Sequence, residues 1–445
     1  ETKSNYYIRI RSTDSGGLFI ENNYEIIINK IDRDADGVSD HKDDFPDDFF
    51  LSEAPVAMDF VNEALQQSEL LALNSQLKFW IDSTQVHSNI RSLANSEYVQ
   101  TWLDKSDSLS HLTQIDLNLR PQYNLNTDQV TEVFFKDVPN KLTSQQYLIG
   151  DPVLNSDDST YTIISVLKNT NSSFLIFNQS TLSGTDTNHF FSYEQNKLFK
   201  DEYPPSGGNV FSDEVSVEID QNINADLSNL FVAHRDNTLS QGQINFFLNG
   251  SDISSGDLFT ETYSGSTDLK NVVGAYLENG SPKQLTGFFA GGFQELLVFD
   301  SFLSESILIE INYYLSQKWN LGEYLDSDDD GIYDNFDNWP KTYNEPPQIP
   351  TRSFFILESE TAIGVLQVID DTIPQAQALH YSIVSGSDFY DINISSQNGF
   401  LSFYEYQDYE IPSDFNKDNI YDVTVLVSDG QMSTQADITV ELQDF

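Results

Sequence analysis

Short alternations of apolar and polar residues recur along most of the chain and predict an all-β protein. Between residues 55 and 321 they include YTIISVLKN, SFLIFNQ, EVSVEID, LFVAHRD, INFFLNG, NVVGAYLENG and FQELLVF, separated by Gly, Asn, Asp and Ser. Alternation places every second side chain on one face of a strand, and turn residues between short strands are typical of an antiparallel sandwich. The pattern therefore predicts an antiparallel β-sandwich over residues 55–321.

One segment at the end of this module changes period. In SFLSESILIEINYYLSQKWNL the apolar residues recur at helical spacing, at Ile307, Leu308, Ile311, Leu315 and Trp319. Ser304 precedes them at the position of an N-cap, where its hydroxyl can accept a hydrogen bond from a free backbone N–H. We expect a helix that closes the sandwich.

Two acidic stretches share one pattern, DRDADGVSDHKDDFP at 32–46 and DSDDDGIYDNFDNWP at 326–340. Oxygen donors fall at positions one, three, five, seven, nine and twelve, with glycine at six, which is the spacing of a calcium loop. The predicted ligands are Asp326, Asp328, Asp330, the carbonyl of Ile332, Asp334 and Asp337, and in the first copy Asp32, Asp34, Asp36, the carbonyl of Val38, Asp40 and Asp43. Because these carboxylates repel one another until a cation binds, Ca²⁺ is the predicted cofactor. The alternative is a solvated acidic loop.

Position twelve separates these loops from EF-hands. It holds Asp43 and Asp337 rather than the bidentate Glu of an EF-hand, and no flanking helical pattern runs directly into either loop, since the helical spacing that ends at Trp319 stops short of Asp326. The trailing Asp-x-x-Pro resembles thrombospondin type 3 repeats. The resemblance implies extended calcium-binding segments at 32–50 and, with a linker, at 326–345.

Four motifs carry a resemblance for the module at 55–321. FWIDST at 79–84, TWLDKSD at 101–107, RPQY at 120–123 and the segment from GFFAGG to KWNL at 287–321 resemble laminin-G-like, concanavalin A-type lectin and glucanase sandwiches. The resemblance implies a jelly-roll fold and a binding site for glycan or another surface ligand, at residues that it does not identify. We expect Trp80, Trp102 and Trp319 to lie in the core, with sugar stacking as the alternative.

Glycoside hydrolysis normally needs two carboxylates that flank the scissile bond. The candidate strand is DEVSVEID, where Glu214, Ser216, Glu218 and Asp220 share one face. Hydrolases of the similar fold carry a third carboxylate after this pair, and here the chain continues with QNIN. We therefore expect no enzymatic activity and assign no catalytic residue.

A third module follows the linker NEPPQIP. Its segments RSFFILESETAIGVLQVIDD, LHYSIVSG and FYDINISSQNGFLSFYE, the run Asp408-Tyr409-Glu410 and the later VSDG resemble a bacterial cadherin-like domain of immunoglobulin type at 346–445. The resemblance implies calcium at junctions with neighbouring cadherin-like modules, with Glu358, Asp408, Glu410 and Asp444 as ligands. The Asp-x-Asp of that family is here Asp370-Asp371, a departure that leaves both residues unassigned. Surface charge is the alternative.

The first 31 residues fit the same family. YYIRIRSTDSGG and LFIENNYEIIINKID are similar to the last two strands of a cadherin-like module. A two-stranded hairpin alone is marginally stable in water. We therefore expect a hairpin of a truncated module that packs on a neighbour.

Composition limits the partners. The 445 residues contain 70 Asp and Glu against 22 Lys and Arg, a formal net charge of −48, which disfavours nucleic acid and anionic membranes as partners. Cysteine is absent, which excludes disulfides and thiolate sites, and no apolar run is long enough to insert in a membrane. The modules together are typical of large calcium-dependent adhesins on bacterial surfaces. The leading hypothesis is an extracellular segment that binds a glycan or another cell-surface ligand, and a spacer without ligand stays open beside it.

Overall fold

A computed structural model describes residues 5–27, 33, 60, 65, 72–86, 95–125, 130–136, 146–154, 160–169, 173–181, 189–194, 197–202, 215–218, 223, 227–236, 242–254, 258–259, 269–278, 284–286, 289–371 and 378–445. The chain divides into two compact units. The first comprises residues 1–248 and 252–304, and the second comprises residues 249–251 and 305–445. Within the described ranges, no helix has the length and apolar character needed to cross a membrane.

The chain begins with the expected hairpin, in which β1 (Asn5–Thr13) pairs antiparallel with β2 (Phe19–Ile27). Asp14 closes the turn, because its Oδ1 accepts the N–H of Gly16 at 2.8 Å and of Leu18 at 3.0 Å. Such side-chain capping is typical of Asp at the start of a turn. The structure thus has a hairpin within residues 1–31, and its membership of a cadherin-like module stays a prediction.

The other strands of the first unit are short and follow the alternating segments. In chain order they are β3 (Leu77–Asp82), β4 (Thr101–Trp102), β5 (Leu112–Thr113), β6 (Gln122–Leu125), β7 (Thr131–Phe135), β8 (Leu148–Gly150), β9 (Tyr161–Asn169), β10 (Ser173–Thr181), β11 (His189–Glu194), β12 (Lys197–Glu202), β13 (Val215–Glu218), β14 (Asn229–Asp236), β15 (Gly242–Leu248), β16 (Ser251–Asp252), β17 (Leu258–Phe259), β18 (Leu269–Val273), β19 (Tyr276–Glu278), β20 (Gln284–Thr286) and β21 (Gly291–Phe299). The helical turns are α1 (Leu73–Gln76) and two 3₁₀ turns at Ser83–Gln85 and Leu117–Leu119.

These strands form two large antiparallel sheets. One has the order β13-β12-β11-β10-β18-β8-β5-β4, and the other has the order β16-β15-β14-β9-β21-β7-β6, with β17 beside β15 and β3 beside β21. The strands β19 and β20 pair separately. Side chains of both sheets share one core, in which the Phe191 ring of β11 stacks on Phe246 of β15 at 5.9 Å between centroids. The predicted all-β sandwich is confirmed.

The first and last described strands of the sandwich lie side by side. In the antiparallel pair of β3 and β21, Trp80 is opposite Leu297. The Trp80 Nε1–H donates to the Glu295 carboxylate at 2.7 Å, so the polar edge of the ring is satisfied inside the core. Trp80, Trp102 and Trp319 are all buried, which confirms their expected structural role.

The second unit begins with the predicted helix, α2 (Glu305–Trp319). Its strands are β22 (Ser353–Leu357), β23 (Ala362–Val365), β24 (His380–Ser385), β25 (Ile392–Ile394), β26 (Phe400–Phe403), β27 (Ile420–Ser428) and β28 (Ser433–Gln443). They form a four-stranded sheet, β22-β28-β27-β24, and a three-stranded sheet, β23-β26-β25. The pair of β22 and β28 is parallel and the others are antiparallel. This topology agrees with the expected cadherin-like sandwich of immunoglobulin type.

Candidate metal centre

The second acidic loop lies between α2 and the cadherin-like strands, and its backbone is fixed at both ends. The Asp326 N–H donates to the Asn249 carbonyl at 3.0 Å, and the Asp334 N–H donates to the Leu325 carbonyl at 2.9 Å. Gly331, at position six, has φ +95°, a backbone conformation that glycine adopts without strain. The glycine of the sequence pattern therefore makes the turn that the ligand spacing needs.

Asp326, Asp328 and Asp330 form a cluster in which one carboxylate oxygen from each lies within 4.8 Å of the others. Asp326 braces the loop, because its two oxygens accept the N–H groups of Asp329 at 2.8 Å and Gly331 at 2.7 Å. Asp330 Oδ1 accepts the Ile332 N–H at 2.8 Å, while its Oδ2 is buried without a partner among the described residues. The loop thus holds three carboxylates together with free oxygens.

Asp328 gives the clearest indication that the loop binds a cation. It is 3% exposed, and neither of its oxygens has a hydrogen-bond donor within the described part of the chain. It can share a proton with Asp326, but two ionised carboxylates offer each other only acceptors. An unpaired buried charge costs far more than a paired one, so a divalent cation fits this position.

The electrostatics of the loop point in the same direction. Burial, together with the charges of Asp330, Asp337 and Asp326, raises the pKa of Asp328 to about 8. Burial and the charges of Asp337 and Asp326 raise the pKa of Asp330 to about 6, against the opposing hydrogen bond from the Ile332 N–H. Among the causes of these shifts there is no cationic side chain, so the carboxylates are left without a positive partner in these contacts.

The remaining predicted ligands of this loop differ in their surroundings. Both oxygens of Asp334 accept hydrogen bonds from Ser327, its Oδ1 from the N–H at 2.8 Å and its Oδ2 from the hydroxyl at 2.9 Å. Asp334 therefore braces the loop and does not belong to the three-carboxylate cluster. Asp337 Oδ2 is buried and has no partner in the described ranges, so its carboxylate is available to an ion. The role of the Ile332 carbonyl as a calcium ligand stays a prediction.

A second polar cluster lies in the same unit, and sequence reasoning assigned none of its members. It comprises Asn344 after the loop, Asp370 and Asp371 after β23, and Asp429 in the turn after β27. Asn344 is 1% exposed, and its Nδ2 donates to Asp429 Oδ2 at 3.2 Å while its Oδ1 has no partner among the described residues. Burial and the charges of Asp429 and Asp371 raise the pKa of Asp370. These oxygen atoms are of the type that a hard cation takes, although the three carboxylates are not among the groups of described residues whose oxygens lie within 4.8 Å of one another.

The sequence carried one signal for this cluster. Asp370-Asp371 replaces the Asp-x-Asp of the cadherin-like family, and the departure left both residues unassigned. The structure places Asp370 near Asp429, and the Oδ1 atoms of Asp370 and Asp371 are buried without partners in the part of the chain that the structure describes. The altered spacing therefore keeps both side chains at the cluster.

Three of the four predicted junction ligands lie close together. Glu358, Asp408 and Glu410 each place an oxygen within 4.8 Å of the others. The Glu358 carboxylate accepts the Tyr409 N–H at 3.1 Å, and Asp408 Oδ1 accepts the Glu410 N–H at 3.0 Å. Asp444 is exposed after β28 and is not part of this group. The role of these four residues stays a prediction.

Other predictions fall outside the described residues. They concern the first loop with Asp32, Asp34, Asp36, Val38, Asp40 and Asp43, and the carboxylates Glu214 and Asp220 beside β13. The backbone of Ser216 and Glu218 lies in β13.

No family model and no curated protein matches the chain. Among solved structures it is similar to the CBM40 module of the Ruminococcus gnavus IT-sialidase bound to alpha2,3 sialyllactose, with 17% identity, 35% of this chain and 83% of that chain covered, and a TM-score of 0.28. It is also similar to human protocadherin-24 EC1-2, with 20% identity, 23% and 46% covered, and a TM-score of 0.19. A third is the Trypanosoma rangeli sialidase in complex with sialic acid, with 9% identity, 55% and 33% covered, and a TM-score of 0.31.

The chain thus spans less than half the length of the last two structures. We draw no function from likenesses of this size, and the fold class rests on the strand pairing described above.

Proposed function

We propose that the chain is an extracellular, calcium-dependent adhesion segment, in which calcium fixes the loop and the cadherin-like domain while the sandwich binds a glycan or another surface ligand. The buried Asp328, which lacks a donor within the described residues, carries the calcium part of the proposal. A cation there would replace the missing donors and offset part of the net charge of −48. We place the segment on a bacterial surface, where calcium affinities of about 10⁻⁴–10⁻³ M suffice.

A spacer without ligand is the second candidate. The observation in its favour is that Trp80 and Trp102 are buried, so neither offers an exposed face on which a sugar ring could stack. Both candidates share the calcium sites and differ in what the sandwich does.

Calcium binding is tested by thermal unfolding of the full chain in millimolar calcium and in chelator. An ion that binds the folded state alone, at about 100 times its dissociation constant, adds about 2.7 kcal/mol to the free energy of unfolding. We expect the second unit to melt higher in calcium, and Asp328→Asn to lose that gain without melting lower in chelator. Asp329→Asn is the matched control, because it removes the same charge at an exposed neighbour outside the cluster. Identical scans of the wild-type protein in calcium and chelator would contradict the proposal.

Adhesion is tested on a glycan array probed with calcium and again with chelator. The expected result is binding to a defined set of glycans that weakens in chelator. Binding to none, by a chain that still shows the calcium-dependent melting, would favour the spacer. Sugar release from a polysaccharide that stops in a Glu218→Gln variant would instead indicate a hydrolase.

A further inference from the structure

The side chain and backbone of Gln431 lie between the loop and the second polar cluster. Gln431 follows Asp429 in the turn between β27 and β28. Its Nε2 donates to Asp337 Oδ1 at 2.6 Å, and its Oε1 accepts the Asn338 N–H at 3.0 Å. Its own backbone N–H donates to Asp429 Oδ1 at 2.7 Å. One residue therefore holds a carboxylate of each cluster.

Asn344 makes a second connection between the same two clusters. Its backbone N–H lies near enough to the Asp330 carboxylate to lower the pKa of that group, while its side-chain Nδ2 donates to Asp429 Oδ2 at 3.2 Å. Gln431 and Asn344 thus form two separate connections between the loop and Asp429.

These contacts decide which oxygens remain for an ion. Gln431 occupies Asp337 Oδ1, together with the Trp339 N–H at 2.6 Å, and leaves Oδ2 buried and unpaired among the described residues. The charge of Asp337 acts on Asp328 and Asp330, so this free oxygen belongs to the electrostatic field of the loop cluster. An ion in the loop would fix Asp337, and through the Gln431 amide it would also fix the turn that carries Asp429.

We infer that Gln431 is a positioning residue that couples cation binding at the loop to cation binding at the cluster of Asn344, Asp370, Asp371 and Asp429. Filling one site orders a carboxylate of the other, so the second ion binds with less loss of conformational freedom and the two sites fill cooperatively. The inference rests on the proposed calcium binding.

The test is a double-mutant cycle on the full chain, read at the loop. Terbium is bound and excited through tryptophan, and calcium then displaces it. Trp339 is two residues beyond Asp337, whereas the first loop has neither Trp nor Tyr between positions 32 and 46. The four proteins are the wild type, Asp370→Asn, Gln431→Met and the double variant. Asp370 belongs to the second cluster alone, so its effect on the loop measures coupling.

In the wild-type background we expect Asp370→Asn to lower the calcium affinity of the loop by about fivefold or more, the range of ordinary coupling energies. In the Gln431→Met background the same change should lower it less than twofold, because only the through-space charge effect remains. Circular dichroism in calcium confirms that each variant is folded.

An equal effect of Asp370→Asn with and without Gln431, or no effect in the wild type, would overturn the coupling while calcium binding stands. Failure of calcium to displace terbium from the wild-type protein would overturn the proposed function and the coupling together.

Discussion

At the scale of single residues, the candidate site is defined by which carboxylate oxygens have donors and which do not. Asp326 and Asp334 accept hydrogen bonds from the loop itself and give it shape. Asp328 has none within the described residues and is left for an ion. The predicted ligand positions are therefore of two kinds. Asp326 and Asp334 accept hydrogen bonds from the loop, whereas the charge of Asp328 has no donor among the described residues to compensate it.

This difference has a pH dependence whose sign follows from the pKa values. In the metal-free protein, burial holds the pKa of Asp328 at about 8 and that of Asp330 at about 6, above the usual 3.8. A carboxyl with a raised folded pKa contributes stability that is fully present below its unfolded value and is lost as pH rises through the folded value. We therefore expect the metal-free second unit to lose stability between about pH 4 and pH 8, as measured by urea unfolding in chelator.

A variant with Asp328→Asn and Asp330→Asn is the control for that pH series, and its stability should change less over the same range. In saturating calcium the trend should disappear over this range, since the bound ion requires ionised carboxylates and the unfolded chain is ionised there as well. A metal-free profile with the same slope in variant and wild type would contradict the assignment.

The calcium-loop pattern could be recognised in the sequence because its candidate ligands lie within twelve residues and each has a fixed position in the pattern. The helix α2 could be predicted for a similar reason. Leu308, Ile311, Leu315 and Trp319 recur at helical spacing, and all four are buried as expected. The second polar cluster could not be predicted from the sequence. Asn344, Asp370 and Asp429 come from segments far apart in sequence, and only the folded sheets bring them together.

At the scale of elements, the loop depends on a turn that is distant in sequence. The turn at Asn249 and Gly250 packs against the start of the loop, where a Cβ on Gly250 would lie 1.5 Å from the Asp326 carbonyl oxygen. Gly250 also has φ +94°. No substitution at this position keeps the present backbone, so the first ligand of the loop is held by a residue that no calcium motif includes.

Two glycine variants separate backbone strain from steric clash. Gly331 has φ +95°, and a Cβ there meets nothing within 4 Å, so Gly331→Ala should cost only the strain of about 1–2 kcal/mol. Gly250→Ala adds a backbone clash, which typically costs a further 1–3 kcal/mol, about as much as overpacking a core. We expect Gly250→Ala to lower both the stability of the second unit and its calcium affinity more than Gly331→Ala does. Urea unfolding and calcium titration measure this, and equal losses would contradict the role of the turn.

At the scale of the whole molecule, charge and topology have separate consequences. A net charge of −48 destabilises any compact state through self-repulsion, and the proposed cations would offset it where carboxylates are densest. The order of strands in the sandwich could not be predicted from the sequence. β9 lies beside β21, more than a hundred residues later, and alternation predicts faces but not neighbours.

The terminal strands of the two sandwiches also determine how each responds when the chain is stretched. In the cadherin-like domain, β22 and β28 are parallel, so force applied at Ser353 and Gln443 loads all five residue pairs in shear at once. In the larger sandwich, β3 and β21 are antiparallel with Leu77 opposite Phe299, so force applied at these two residues separates the pairs one after another, like a zipper. We therefore expect tension applied at these strand ends to open the larger sandwich at a lower force than the smaller one.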